Sequence, residues 1–196
     1  MRRRRGQERG QERERDQVIN KLPIPVYKNT TAHDKRAMRR TVRFGKTKTK
    51  TRVFTGLKHQ CVELARRWCV RSRGATFREV DTASDMVSLR RGTCLACGRP
   101  VRISVSNAVA PSSTLTGDLL VWKRGLPGPY RKTGHVAVVV KVESNKKNNG
   151  AALITVAEQN GSTKNGHRKI RLNQNSKTRR ALAGRLRVFP CTRCKV

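Results

Sequence analysis

Cys61, His135 and Glu158 are the residues whose types and surroundings could carry covalent chemistry in this chain. A thiol becomes a nucleophile when its pKa is lowered, and a helix N-terminus together with a nearby imidazole does this. Cys61 stands where an apolar three-and-four spacing begins. His135 opens an apolar run directly after Gly134, whose missing side chain leaves the imidazole approachable, and Glu158 closes the next apolar run. A carboxylate at the end of an apolar strand costs stability unless it has a partner. From residue 53 onward there are only seven acids, Glu63, Glu79, Asp81, Asp85, Asp118, Glu143 and Glu158, so this one asks for a local reason. The chemistry predicted is thiolate attack with an imidazole moving the proton. The bland alternative is a core cysteine and a structural histidine, both common.

The other cysteines fall differently. Cys94 with Cys97 and Cys191 with Cys194 form two CxxC pairs, while Cys69 lies two helical turns beyond Cys61. Cys94-Leu95-Ala96-Cys97-Gly98 has the pattern of a metal knuckle, in which two thiolates grip one ion and the following glycine permits the turn. Cys191 and Cys194 could complete a shared structural zinc site if the fold brings the C-terminal CxxC segment to that loop. Free thiol pairs or a redox pair are the competing readings. With no secretory signal pattern, the chain is expected to be soluble and intracellular, cytoplasmic or mitochondrial, with its thiols reduced.

The elements that must position these groups follow from periodicity. Cys61, Leu64, Ala65, Trp68 and Cys69 predict one buried helix face, and a second, weaker helix is predicted over 83–90. Leu119-Leu120-Val121-Trp122, the run from His135 to Val140 and the run from Leu153 to Ala157 read as strands separated by Gly, Pro and Asn clusters. Leu186-Arg187-Val188-Phe189 adds a last one. Turn-like links imply an antiparallel sheet, and runs apolar at nearly every position imply burial on both faces. In such a sheet the start of one strand lies beside the end of the next, which makes a His135–Glu158 contact natural.

At these residues the sequence resembles the CHAP amidases, in particular the amidase domains of glutathionylspermidine and trypanothione synthetases. The resemblance runs through Gln60-Cys61-Val62-Glu63-Leu64-Ala65-Arg66-Arg67-Trp68, then Gly117-Asp118-Leu119-Leu120-Val121-Trp122, then Thr133-Gly134-His135-Val136-Ala137-Val138-Val139, and ends in Ala157-Glu158-Gln159-Asn160. It extends over roughly 25–188, including Ile24-Pro25-Val26-Tyr27 and Ser88-Leu89-Arg90. It implies an α+β, papain-like CHAP fold, with an N-terminal nucleophile helix packed on an antiparallel sheet. It further implies Cys61 as nucleophile, His135 as base and Glu158 as its orienter. Gln60 and the Cys61 N–H would lie near the oxyanion, Asn160 and Arg66 would support the site, and no cofactor would be needed for catalysis. The substrate implied is an amide of the glutathionylspermidine or trypanothione kind, or a peptidoglycan-type peptide. The ATP-grasp half of the bifunctional enzymes is missing from these residues, so synthesis of the conjugate is not expected.

Charge separates this chain from that family. Its 196 residues carry 46 Lys and Arg against 12 Asp and Glu, a formal net charge of +34. Such a chain self-repels unless a polyanion neutralises it, and RNA or DNA is the commonest candidate. No stretch approaches the ~20 apolar residues of a transmembrane helix. The domain organisation predicted is a basic disordered tail over 1–20, a basic arm over 21–55, the CHAP amidase domain over 56–190 and a CxxC tail over 191–196. Two functions compete: an active cysteine amidase, and an RNA-binding protein of a ribonucleoprotein particle, such as a mitochondrial ribosome, that uses the fold as a scaffold.

Overall fold

Alternation of buried side chains builds most of the molecule. In the computed structural model, residues 24–27, 37–44, 49–107, 109–126, 130–144, 151–161, 166–173 and 181–194 are described. The tail expected over 1–20 and residues 145–150, between the His135 and Glu158 runs, lie outside the described residues. Ten strands and one α-helix are described: β1 (Ala37–Phe44), β2 (Thr49–Leu57), α1 (Cys61–Arg73), β3 (Ala75–Phe77), β4 (Arg91–Cys94), β5 (Pro100–Ser106), β6 (Leu119–Trp122), β7 (His135–Ser144), β8 (Ala152–Ala157), β9 (His167–Leu172) and β10 (Leu182–Val188). The class is α+β, with every strand pairing antiparallel.

β3 to β10 form one eight-stranded sheet in the order β3-β4-β5-β10-β6-β7-β8-β9. The last strand in sequence is therefore internal, between β5 and β6. Apolar residues on consecutive positions serve two faces, because side chains alternate across a strand. Leu119, Val121, Val136 and Val138 point into a core shared with Leu64, Ala65 and Trp68 of α1. Leu120, Trp122, Ala137 and Val139 join Ile154, Val156, Ile170, Leu172 and Leu182 on the other face.

The helix begins after the turn at Lys58 and His59, where His59 takes a left-handed φ of 57°. It ends at Gly74, also left-handed, whose N–H donates to Cys69 O, as helix C-termini commonly do. The spacing predicts one buried face, yet Glu63, Arg66 and Arg67 are buried as well. The reason is the β1–β2 pair, which packs on α1 along with β3 and β7. Residues 37–44 and 49–55 of the predicted basic arm are thus paired strand, with Val53 and Thr55 buried and Arg39 and Arg52 exposed.

The helix predicted over 83–90 is a 3-10 turn, Ala83–Ser88. Thr82 and Asp85 form a capping box, with Thr82 N and Oγ1 donating to Asp85 Oδ2 at 3.0 and 2.7 Å. Leu89 N already bonds Met86 O in the i→i+3 pattern, which such short pieces favour.

Candidate active site

The junction of β2 and α1 places Cys61 as the first residue of the helix, with Gln60 as an extended N-cap whose side chain does not cap. His135 opens β7 and is in register with Trp122 of β6. Glu158 follows β8 directly, and its N–H donates to Gly166 O at 2.8 Å. Because β7 and β8 are neighbours with Val138 opposite Ala157, the structure brings Cys61, His135 and Glu158 together. His135 Nε2 lies 3.1 Å from Glu158 Oε2. The Cys61 thiol interacts with the same imidazole.

All three groups are buried, with Cys61 9% and His135 and Glu158 1% exposed. Burial pushes the Cys61 thiol up. The hydrogen bond and charge of His135 and the backbone N–H groups of Val136 and Val62 outweigh this and bring it below its ordinary value. Burial pushes His135 down, but Cys61 and Glu158 raise it to about 9. The two directions are those that a thiolate and an imidazolium impose on each other. For Cys69 burial outweighs the lowering charges of Arg73 and Arg66 and pushes the thiol up to about 12.

Several groups around the imidazole were missed in the sequence. Tyr130 stacks on His135 with centroids 4.4 Å apart and planes 8° from parallel, and Trp122 lies tilted at 5.7 Å. Arg168 of β9 donates from Nη2 to Glu158 Oε2 at 3.0 Å and spreads its guanidinium over Trp122. Nothing in the sequence singles out this arginine among so many.

Gln60 and Asn160 meet: Asn160 Nδ2 donates to Gln60 Oε1 at 3.0 Å. That bond uses the amide oxygen of Gln60. Arg66 goes elsewhere. It donates to Arg78 O at 3.0 Å and sits between the rings of Phe54 and Phe77, so its contacts are with β2 and β3 rather than with the thiol.

Gly134 also meets a demand of the backbone. Its φ is +67°, and an added Cβ would stand 2.5 Å from Trp122 O and 3.0 Å from Ser84 Cβ. The glycine is needed for the turn into β7 and for the close approach of the 3-10 segment. Beneath the site, Gln159 Nε2 donates to Gln60 O and Glu63 Oε2, both at 3.1 Å, while its Oε1 accepts from Arg67 Nη2 at 2.7 Å and Tyr27 N at 3.0 Å. Arg67 Nε pairs with Glu63 Oε1 at 2.9 Å. One buried polar network thus ties 24–27, the start of α1 and the segment after β8.

Residues 52–160 match the CHAP domain. The chain belongs to the CHAP domain family. It is similar to the bifunctional glutathionylspermidine synthetase/amidase of Escherichia coli (strain K12), 32% identical over 107 residues, which is 55% of this chain and 16% of that protein. The enzyme of the same name from Shigella flexneri matches to the same extent. The chain thus spans about a sixth of the length of the curated relatives it matches.

Cys94, Cys97, Cys191 and Cys194 form a separate group on the far side of the sheet order from β7 and β8. Their sulfurs lie within 4.8 Å of one another and could hold a metal ion. Among the described residues no helix is long and apolar enough to cross a membrane.

Proposed function

We propose that this CHAP chain is a cysteine amidase that hydrolyses an amide or peptide bond through Cys61, His135 and Glu158. The observation that carries this reading is the single imidazole held between a helix-terminal thiol and a buried carboxylate 3.1 Å away. In papain-like terms, α1 is the nucleophile helix. The Cys61 thiolate attacks the amide carbonyl carbon, forming a C–S bond and an oxyanion. In this reading the Cys61 N–H, a first-turn donor with no intrahelical acceptor, and Gln60 Nε2 receive that oxyanion. His135 gives its Nδ1 proton to the leaving nitrogen, and the C–N bond breaks. His135 then takes a proton from water, which attacks the thioester and releases the acid and the thiolate. Glu158 keeps Nε2 protonated throughout, and water is the only co-reactant.

The name of the similar enzymes points to the amide of a glutathionylspermidine-like conjugate, and a trypanothione-like conjugate is a further candidate of the same chemistry. A peptidoglycan-type peptide is the other substrate class to test. Incubation with glutathionylspermidine should release spermidine, and Cys61→Ala should abolish the release. An intact Cys61 that alkylates no faster than Cys69 would overturn the reading.

A second reading, a scaffold in an RNA-rich particle, is supported by the charge of +34 and by one local arrangement. Arg91 of β4 and Arg102 of β5 are exposed and directly opposite in register, with exposed Arg99 at the turn between them. Like charges facing each other across a ladder repel, and a phosphate would relieve this. A Cys61→Ala chain that retains full function in its native assembly favours the scaffold.

A further inference from the structure

We propose that Cys94, Cys97, Cys191 and Cys194 hold one zinc ion as a tetrathiolate, and that this ion locks the internal strand β10 into the sheet. Four sulfurs about 2.3 Å from one ion at tetrahedral angles stand about 3.8 Å apart. Cys94 Sγ lies 3.8 Å from Cys194 Sγ, and Cys97 Sγ lies 3.8 Å from Cys191 Sγ. These are two opposite edges of a tetrahedron, and no separation in the group exceeds 4.8 Å. Two disulfides would instead require about 2.05 Å within each pair.

The backbone around the first pair fits an ion. Cys94 ends β4, Gly98 N donates to Cys94 O at 2.9 Å, and Cys94 N donates to Arg99 O at 2.8 Å. With Gly98 at a φ of +70°, this turn aims two sulfurs at one point. The second pair follows β10 directly. There Phe189 N donates to Arg102 O at 3.1 Å, and the Arg102 guanidinium covers the Phe189 ring. Soft thiolates in a tetrahedral set select zinc among the common divalent ions. The centre would carry a charge of −2, from four thiolates and one dication, beside Arg99 and Arg193 in a strongly basic chain.

The consequence lies in the topology. β10 separates β5 from β6, so among the described strands the ladder between the two parts of the sheet runs through the strand that comes last in sequence. The cysteines joined are 100 and 94 residues apart, and the stabilisation from closing a loop grows with its length. The ion fastens that strand to the β4–β5 turn. This assignment does not depend on the amidase reading.

The test uses the full chain purified under reducing conditions. Elemental analysis should find about one zinc per chain, released by a mercurial that blocks thiols. Replacement by cobalt(II) should give the intense visible d–d and thiolate charge-transfer bands of a tetrahedral sulfur site. Cys97→Ser should lose the metal on dialysis against EDTA, whereas Cys69→Ser should retain it. Removal of zinc should lower Tm by on the order of 10 °C. If Cys97→Ser does not fold, Cys97→His should still bind cobalt, with bands shifted toward those of a site with three sulfur ligands and one nitrogen. A reduced, folded chain without stoichiometric metal, iron in place of zinc, or Cys94–Cys194 and Cys97–Cys191 disulfides in the native chain would overturn the proposal.

Discussion

His135 interacts with both Cys61 and Glu158, the latter through Nε2. The raised pKa, about 9, means that the imidazolium persists to that pH, while the lowered Cys61 value means that the thiolate forms early. The pair therefore exists between the Cys61 pKa and about pH 9. The pH profile of kcat/KM should rise through the first and fall with an inflection near pH 9. Glu158→Gln removes one of the charges that raise His135, so it should move the upper inflection down. It should also lower kcat/KM by on the order of 100-fold, within the range that proton transfer contributes. An unchanged inflection would show that Glu158 does not act on His135. In the same way, iodoacetamide near pH 7 should label Cys61 well before Cys69, which burial holds near 12; mass spectrometry of partially labelled chain reads the order.

α1 packs against β1 and β2 as well as β3 and β7, and its buried Glu63 and Arg67 are matched with each other. Glu63 and Arg67, one turn apart, are 0% and 1% exposed and share Gln159. Removing one member of a buried pair strands the other charge, a loss of about 3–5 kcal/mol. Arg67→Met should therefore lower unfolding stability by that amount in a denaturant titration, and the double variant Glu63→Leu, Arg67→Met should recover part of it. Equal losses in both would remove the network from the account. The turn into β7 is the other sensitive point. Gly134→Ala requires a side chain at φ +67° and 2.5 Å from Trp122 O, so the backbone must move where His135 begins. Activity should fall more than stability, and Gly125→Ala, where a Cβ meets nothing within 4 Å, serves as the control for positive φ alone.

For the whole molecule the governing quantity is +34. Binding to RNA should be tight at low salt, indifferent to sequence and steeply weakened by salt, because each neutralised phosphate releases counterions. The double variant Arg91→Gln, Arg99→Gln should weaken binding equally on all sequences and reduce the log–log salt slope by roughly two. Titration by fluorescence anisotropy at several salt concentrations measures both. Affinity independent of salt would remove nucleic acid as the partner.

The linear chain by itself determined the buried strands β6, β7 and β8, because Leu119–Trp122 and the runs after His135 and before Glu158 are apolar at consecutive positions and can be satisfied only inside a sheet. It also determined the start of α1, from the spacing of Cys61, Leu64, Ala65 and Trp68. Other strands were hidden by charge. β9 reads His-Arg-Lys-Ile-Arg-Leu, and only Ile170 and Leu172 are buried, so its alternation is diluted. β1 and β2 lie in a basic run whose strand character comes from pairing and from packing on α1. Tertiary structure alone decided that β10 enters the middle of the sheet, that Arg168 reaches Glu158, and that two CxxC pairs nearly a hundred residues apart face one another. These depend on contacts between distant segments, which local periodicity does not encode.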